Sequence, residues 1–116
     1  MPSERDIQHA IRLTAGRAPH CLWRNNVGQA RMPDGSTVRF GLCQGSSDLI
    51  GLTPTLITPE HVGKTIARFV AIEVKTPTGR LTPEQERFLA LVTAKGGLAG
   101  VARSPADALA ILRGTE

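Results

Sequence analysis

Tyrosine is absent from this chain, and one tryptophan with three phenylalanines brings aromatics to only 3% of its 116 residues. A surface paved with rings for stacking bases is thereby disfavoured, and Trp23 reads as a core residue rather than a base-stacking one. Cysteine is scarce too. Cys21 and Cys43 form no C-x-x-C pair, and His9, His20 and His61 are scattered, so neither a disulfide framework nor a zinc spacing is present. Two buried, reduced thiols are expected instead. No G-x-S-x-G or paired Cys/His context supports a covalent nucleophile. No window approaches the ~18 consecutive apolar residues of a spanning helix, and MPSERDIQ lacks a signal peptide's apolar centre. A cytoplasmic protein with no membrane partner is the expectation.

Acid is sparse where base is dense. Eleven of the fourteen basic residues are arginine, and Arg5, Arg12, Arg17, Arg24, Arg31 and Arg39 all fall in the first third, against three acids there. With a formal charge of +4, this favours polyanionic partners, because guanidinium forks match phosphate oxygens and phosphate binding releases counterions. Hydrophobic residues at 41% and charged residues at 21% give ordinary globular composition. The length suits a single domain over residues 1–116.

Ser3 and Asp6 make a capping box, and Ile7, Ala10, Ile11 and Thr14 recur at helical spacing until Gly16. Cys21 to Val27 and Thr37 to Phe40 read as strands of a hairpin turned at Pro33-Asp34-Gly35. Ser47 to Leu52 and Ala67 to Lys75 are two further strands, separated by a loop with two prolines. Thr82-Pro83-Glu84-Gln85 combines an N-cap, a proline at the first helical position and a capping-box Gln, and predicts a helix to about Lys95. Leu98 to Arg103 follows as a strand, and Ser104-Pro105 with Asp107 starts a last helix closed by Gly114. The order α-β-β-β-β-α-β-α predicts an α/β fold, a mixed sheet with helices on its faces.

The strand VAIEVK places Glu73 and Lys75 on one face and Ile72 and Val74 on the other. Desolvating an unpaired carboxylate is costly, so Glu73 must meet a cation or metal or lie in a wet cleft. Asp48 opens the preceding strand in GSSDLIGL and offers a second carboxylate. Hard divalent cations prefer carboxylate, carbonyl and water oxygens, so Asp48, Glu73 and the main-chain carbonyl of Val74 form a candidate ligand set. Lys75 can orient a water or offset charge on a phosphate.

The ordered combination Glu4/Gln8, Asp48, Glu73-x-Lys75 and Gln85, with SERDIQHAI, WRNNVG, FGLCQGSSDLIG, AIEVKTPTGRLTPEQ and a GG turn, resembles the VRR-NUC family within the PD-(D/E)xK nucleases. Gly-Ser-Ser precedes Asp48 where the superfamily often has proline, similar to its G-x-x-D form. The resemblance implies a restriction-endonuclease-like core and metal-dependent DNA hydrolysis with Mg2+ or Mn2+. It implies Asp48 and Glu73 as metal carboxylates, Lys75 as catalytic lysine, Glu4 completing the metal site through water, and Gln85 beside it. Arg24, Asn25, Gln8 and Arg80 are expected DNA contacts. By analogy with Holliday junction resolvases, it implies a homodimer acting on branched DNA. The rival reading is a non-catalytic nucleic-acid-binding module, or a subunit of a larger assembly, on the same scaffold. Capping alone also accounts for Gln85, and exposed helix positions for Glu4 and Gln8.

Overall fold

A computed structural model describes residues 2–114 of the chain. They divide after Thr53 into two compact units.

The first unit opens with helix α1, Glu4–Ala15. The Ser3 hydroxyl accepts from the Asp6 amide at 3.1 Å, and the Asp6 carboxylate accepts from the Ser3 amide at 3.3 Å. Two of the helix's unpaired N–H groups are thus satisfied. Four strands follow: β1, Cys21–Arg24; β2, Gly28–Arg31; β3, Thr37–Phe40; and β4, Leu49–Leu52. They pair two by two and antiparallel, β1 with β4 and β2 with β3.

This corrects the expected hairpin. Its first arm is Gly28–Arg31, while Cys21–Arg24 pairs with Leu49–Leu52 rather than with Thr37–Phe40. The chain changes partner at Asn25, whose backbone N–H donates to the Asp48 carbonyl at 2.8 Å. The hairpin turn itself is as expected. Gly35 takes a φ of 88°, a region that glycine occupies without strain, and its N–H donates to the Met32 carbonyl at 2.9 Å. The Asp34 carboxylate accepts from both the amide and the hydroxyl of Ser36, at 2.9 and 2.6 Å. These two bonds, the hydroxyl's first, hold the Asp34 carboxyl below its usual pKa by favouring the charged form.

In the second unit, residues 54–69 run irregularly apart from one short 3-10 turn, Pro59–His61. There His61 Nδ1 accepts from the Thr58 amide at 3.1 Å. Strand β5, Val70–Val74, then leads through helix α2, Pro83–Ala94, to strand β6, Leu98–Ala102, and helix α3, Pro105–Arg113, completes the unit. β5 and β6 pair in parallel, from Val70 opposite Leu98 to Val74 opposite Ala102. A parallel pair requires a crossover, and α2 supplies it.

Alternation along the two strands sends Ile72 and Gly100 to one face and Ala71, Glu73, Ala99 and Val101 to the other. α3 packs on the first face, so closely that a side chain at Gly100 would meet Ile111 at 3.0 Å. On α2, Val92 is fully buried, and Ala102 on β6 is 4% exposed. Burying a valine side chain of this kind contributes about 1.5–3 kcal/mol.

The chain is therefore α/β, but its described strands form three two-stranded pairs instead of the one mixed sheet expected, and there is one strand more, in the order α-β-β-β-β-β-α-β-α. β5 starts at Val70 instead of Ala67. The ladder with β6 begins only at Val70 opposite Leu98, and just before it the Arg68 side chain donates through Nε and Nη2 to the Gly96 carbonyl, at 3.2 and 2.9 Å. Val74, expected on an apolar face, is 74% exposed at the strand's last position. The cysteines are free, yet Cys43 is exposed and Cys21 only half-buried, so the expected pair of buried thiols is not formed. Trp23 is half-buried in β1, opposite Ile50.

Candidate active site

The residues singled out by the sequence fall in both units. Within the second, β5 carries Glu73 on the side of its ribbon that faces the start of α2, and a groove of about 500 Å³ runs between them. Glu73, Glu84, Gln85, Phe88 and Leu89 line it together with Phe69 and the earlier residues of β5. Glu73 is half-buried, and among the described residues its carboxylate has neither an ion-pair nor a hydrogen-bond partner. A carboxylate so placed attracts a cation or a donor from outside the chain, since partial burial weakens its hydration.

Lys75 comes directly after β5, half-buried, and its backbone N–H extends the parallel ladder by donating to the Ala102 carbonyl at 3.1 Å. Its ammonium has no ion-pair partner among the described residues. Glu73 and Lys75, although two residues apart, do not neutralise each other. Gln85 closes the far side of the groove. Its side-chain carbonyl accepts from the Thr82 amide at 2.9 Å, and its own amide donates to Thr82 Oγ1 at 3.2 Å. This capping box leaves the Gln85 side-chain NH2 group available to the groove.

One residue that no sequence motif singles out organises this end of the unit. The Arg103 guanidinium donates through Nη1 to the Thr76 and Gly79 carbonyls, the latter at 2.9 Å. Those two carbonyls bound the turn that follows Lys75, closed by the Gly79 amide donating to Thr76 at 3.1 Å. Arg103 is itself held, because its backbone N–H donates to the Asp107 carboxylate at 2.9 Å. No local pattern announces such a contact between residues far apart in sequence. Arg80, at the end of the same turn, is exposed.

In the first unit, Asp48 sits immediately before β4 with its side chain exposed. The loop leading to it is pinned by half-buried Asn25. The Asn25 amide donates to Ser46 Oγ at 2.7 Å and to the Ser47 carbonyl at 2.9 Å, while its Oδ1 accepts from the Leu42 amide at 2.9 Å. Ser46 Oγ in turn donates to the Cys43 carbonyl at 2.6 Å. Arg24 is exposed at the end of β1; Glu4 is exposed as the first residue of α1, and Gln8 one turn later is half-buried. The structure thus brings Glu73, Lys75 and Gln85 to one end of the second unit and places Asp48, Arg24 and Asn25 around one loop of the first. Among the described residues, no three His, Cys, Asp or Glu side chains gather into a cluster.

A half-buried acid beside an unpaired lysine, at the end of a parallel strand and across from a helix start, is an arrangement suited to phosphate chemistry. The family model of the VRR-NUC domain matches residues 3–106. The chain belongs to the VRR-NUC family, and with that to a class of nucleases, enzymes that hydrolyse nucleic acid. No curated protein and no solved structure matches it. No helix among the described residues is long and apolar enough to cross a membrane.

Proposed function

We propose that this protein is a magnesium- or manganese-dependent deoxyribonuclease that cuts phosphodiester bonds within branched DNA, such as four-way junctions, as a homodimer. The observation that carries the reading is Glu73, a half-buried carboxylate without an internal counter-charge, two residues before an equally unpaired Lys75. Residues 3–106 match the model of a nuclease domain, and this E-x-K pair is among the residues on which the sequence resemblance rests.

The donor set consists of hard oxygens, which suits these cations and disfavours softer metals. Glu73 and the carbonyl of Val74 would hold the ion, and Asp48 and, through water, Glu4 are the further ligands that the family resemblance implies. Once bound, it would polarise the scissile phosphate and acidify a water for attack. Lys75 places its ammonium to orient that water or to offset charge developing on the phosphate. Gln85 directs its remaining N–H groups into the groove. Arg24, Gln8 and Arg80 contact the DNA backbone, whereas Asn25 acts by shaping the loop before Asp48.

The test is incubation of purified protein with labelled four-way junction, flap, single-stranded and duplex DNA at low salt, in magnesium, manganese or chelator. Metal-dependent cutting, strongest on the junction and absent from an Asp48→Ala protein, is expected. Binding without cutting on every substrate would favour the non-catalytic module.

A further inference from the structure

We infer that one face of the β2–β3 hairpin is a docking surface for the phosphate backbone of the nucleic acid. Residues paired across an antiparallel ladder point to the same side. The register sets Gln29 opposite Arg39 and Arg31 opposite Thr37, so these four share a face, while Ala30, Val38 and Phe40 take the other. All four are exposed. Arg31 and Arg39 are diagonal neighbours on this face, about 7–8 Å apart at the backbone, a separation that meets two phosphates rather than one.

Neither guanidinium has an ion-pair or hydrogen-bond partner among the described residues. The hairpin's one acid, Asp34, directs its carboxylate to Ser36 at the turn. A groove of about 560 Å³ adjoins the ladder's open end, where Gln29, Arg39 and Gln44 are among the lining residues. Two unpaired arginines, neutral donors between and beside them, and a recess at one end match a phosphate–sugar strand. Side chains of this kind position the duplex and add affinity that falls with salt, without reading its sequence.

The identity of the polyanion rests on the nuclease reading; the surface itself does not. The test measures affinity for a short labelled duplex across a range of potassium chloride in chelator. Wild type is compared with Arg31→Gln/Arg39→Gln, with Arg31→Lys/Arg39→Lys, and with Arg87→Gln/Arg113→Gln as a control of equal charge change in the other unit. Loss of two phosphate contacts makes the slope of log affinity against log salt shallower by about 1.8. The lysine pair restores most of that slope, and the control pair leaves it unchanged. An equal fall in the control pair, or no fall in the hairpin pair, overturns the surface. Cutting in metal separates the two readings. A changed slope in a protein that cuts nothing retains the surface and removes the nuclease. An unchanged slope in a protein that cuts does the reverse. Wild type that binds no duplex even at low salt overturns the surface outright.

Discussion

The backbone N–H of Asn25 donates to the carbonyl of Asp48 at 2.8 Å, and this bond ties the end of one strand to the start of another. Asn25 then uses its side chain to fasten the intervening loop at Leu42, Ser46 and Ser47. The acid opening β4 is thereby presented by a braced segment. Asn25→Ala removes the side-chain amide and strands the donors and acceptors it served, which costs on the order of 1–3 kcal/mol. Chemical denaturation reads that loss directly. If cleavage depends on Asp48, its rate falls more than the remaining folded fraction explains.

Lys75 offers the sharpest catalytic prediction. Removing one preorganised cation from a phosphoryl site costs on the order of 10²–10³ in kcat. Lys75→Ala accordingly lowers single-turnover cutting by that order while duplex affinity in chelator changes little. Lys75→Arg recovers part of the rate only if charge, rather than shape, is what the lysine provides.

Arg103 tests whether the turn after Lys75 must be held. Its guanidinium satisfies the Thr76 and Gly79 carbonyls, so Arg103→Ala frees the turn at a stability cost of about 1 kcal/mol. Faster hydrogen exchange is expected at Gly79, confined to this turn.

Packing at Gly97 is tight for a different reason. A side chain there would meet Val92 Cγ1 at 2.6 Å and the Phe69 carbonyl at 2.8 Å. Gly97→Ala therefore overpacks the fully buried Val92 and destabilises by about 1–3 kcal/mol, seen as a lower denaturation midpoint.

Asp34 gives the pH dependence. Its carboxyl pKa is lowered in the fold by the Ser36 hydroxyl and amide. A depressed pKa means the folded state prefers the charged form, so the turn's contribution is present above the unfolded carboxylate's pKa and fades as pH falls through the folded value. Ser36 amide protection, the exchange rate relative to that of an unstructured chain at the same pH, is expected to fall toward acid pH, and Asp34→Asn to remove that acid dependence.

Which features were legible in the sequence follows from the range of the interactions that decide them. The capping boxes at Ser3 with Asp6 and Thr82 with Gln85, the cap at Ser104 and the turn at Gly35 depend on residues within four positions, and all form as read. Strand pairing depends on distant partners. Nothing local says that Cys21–Arg24 pairs with Leu49–Leu52, or that the Arg68 side chain reaches the Gly96 carbonyl. At the site, their two-residue spacing alone sets Lys75 just past the end of the strand that carries Glu73. Arg103 was hidden because its partners are carbonyls of a turn remote in sequence, and main-chain oxygens carry no sequence signal.

The central claim is that Glu73 takes part in metal-dependent cleavage. Its most direct test is single-turnover cutting of a labelled four-way junction by wild type and Glu73→Gln, a nearly isosteric change. Each is run in chelator and again after magnesium is restored. Cutting by wild type only when magnesium is present, with none above background from Glu73→Gln, is the predicted result. Equal cutting by the two proteins, or undiminished cutting in chelator, would contradict it.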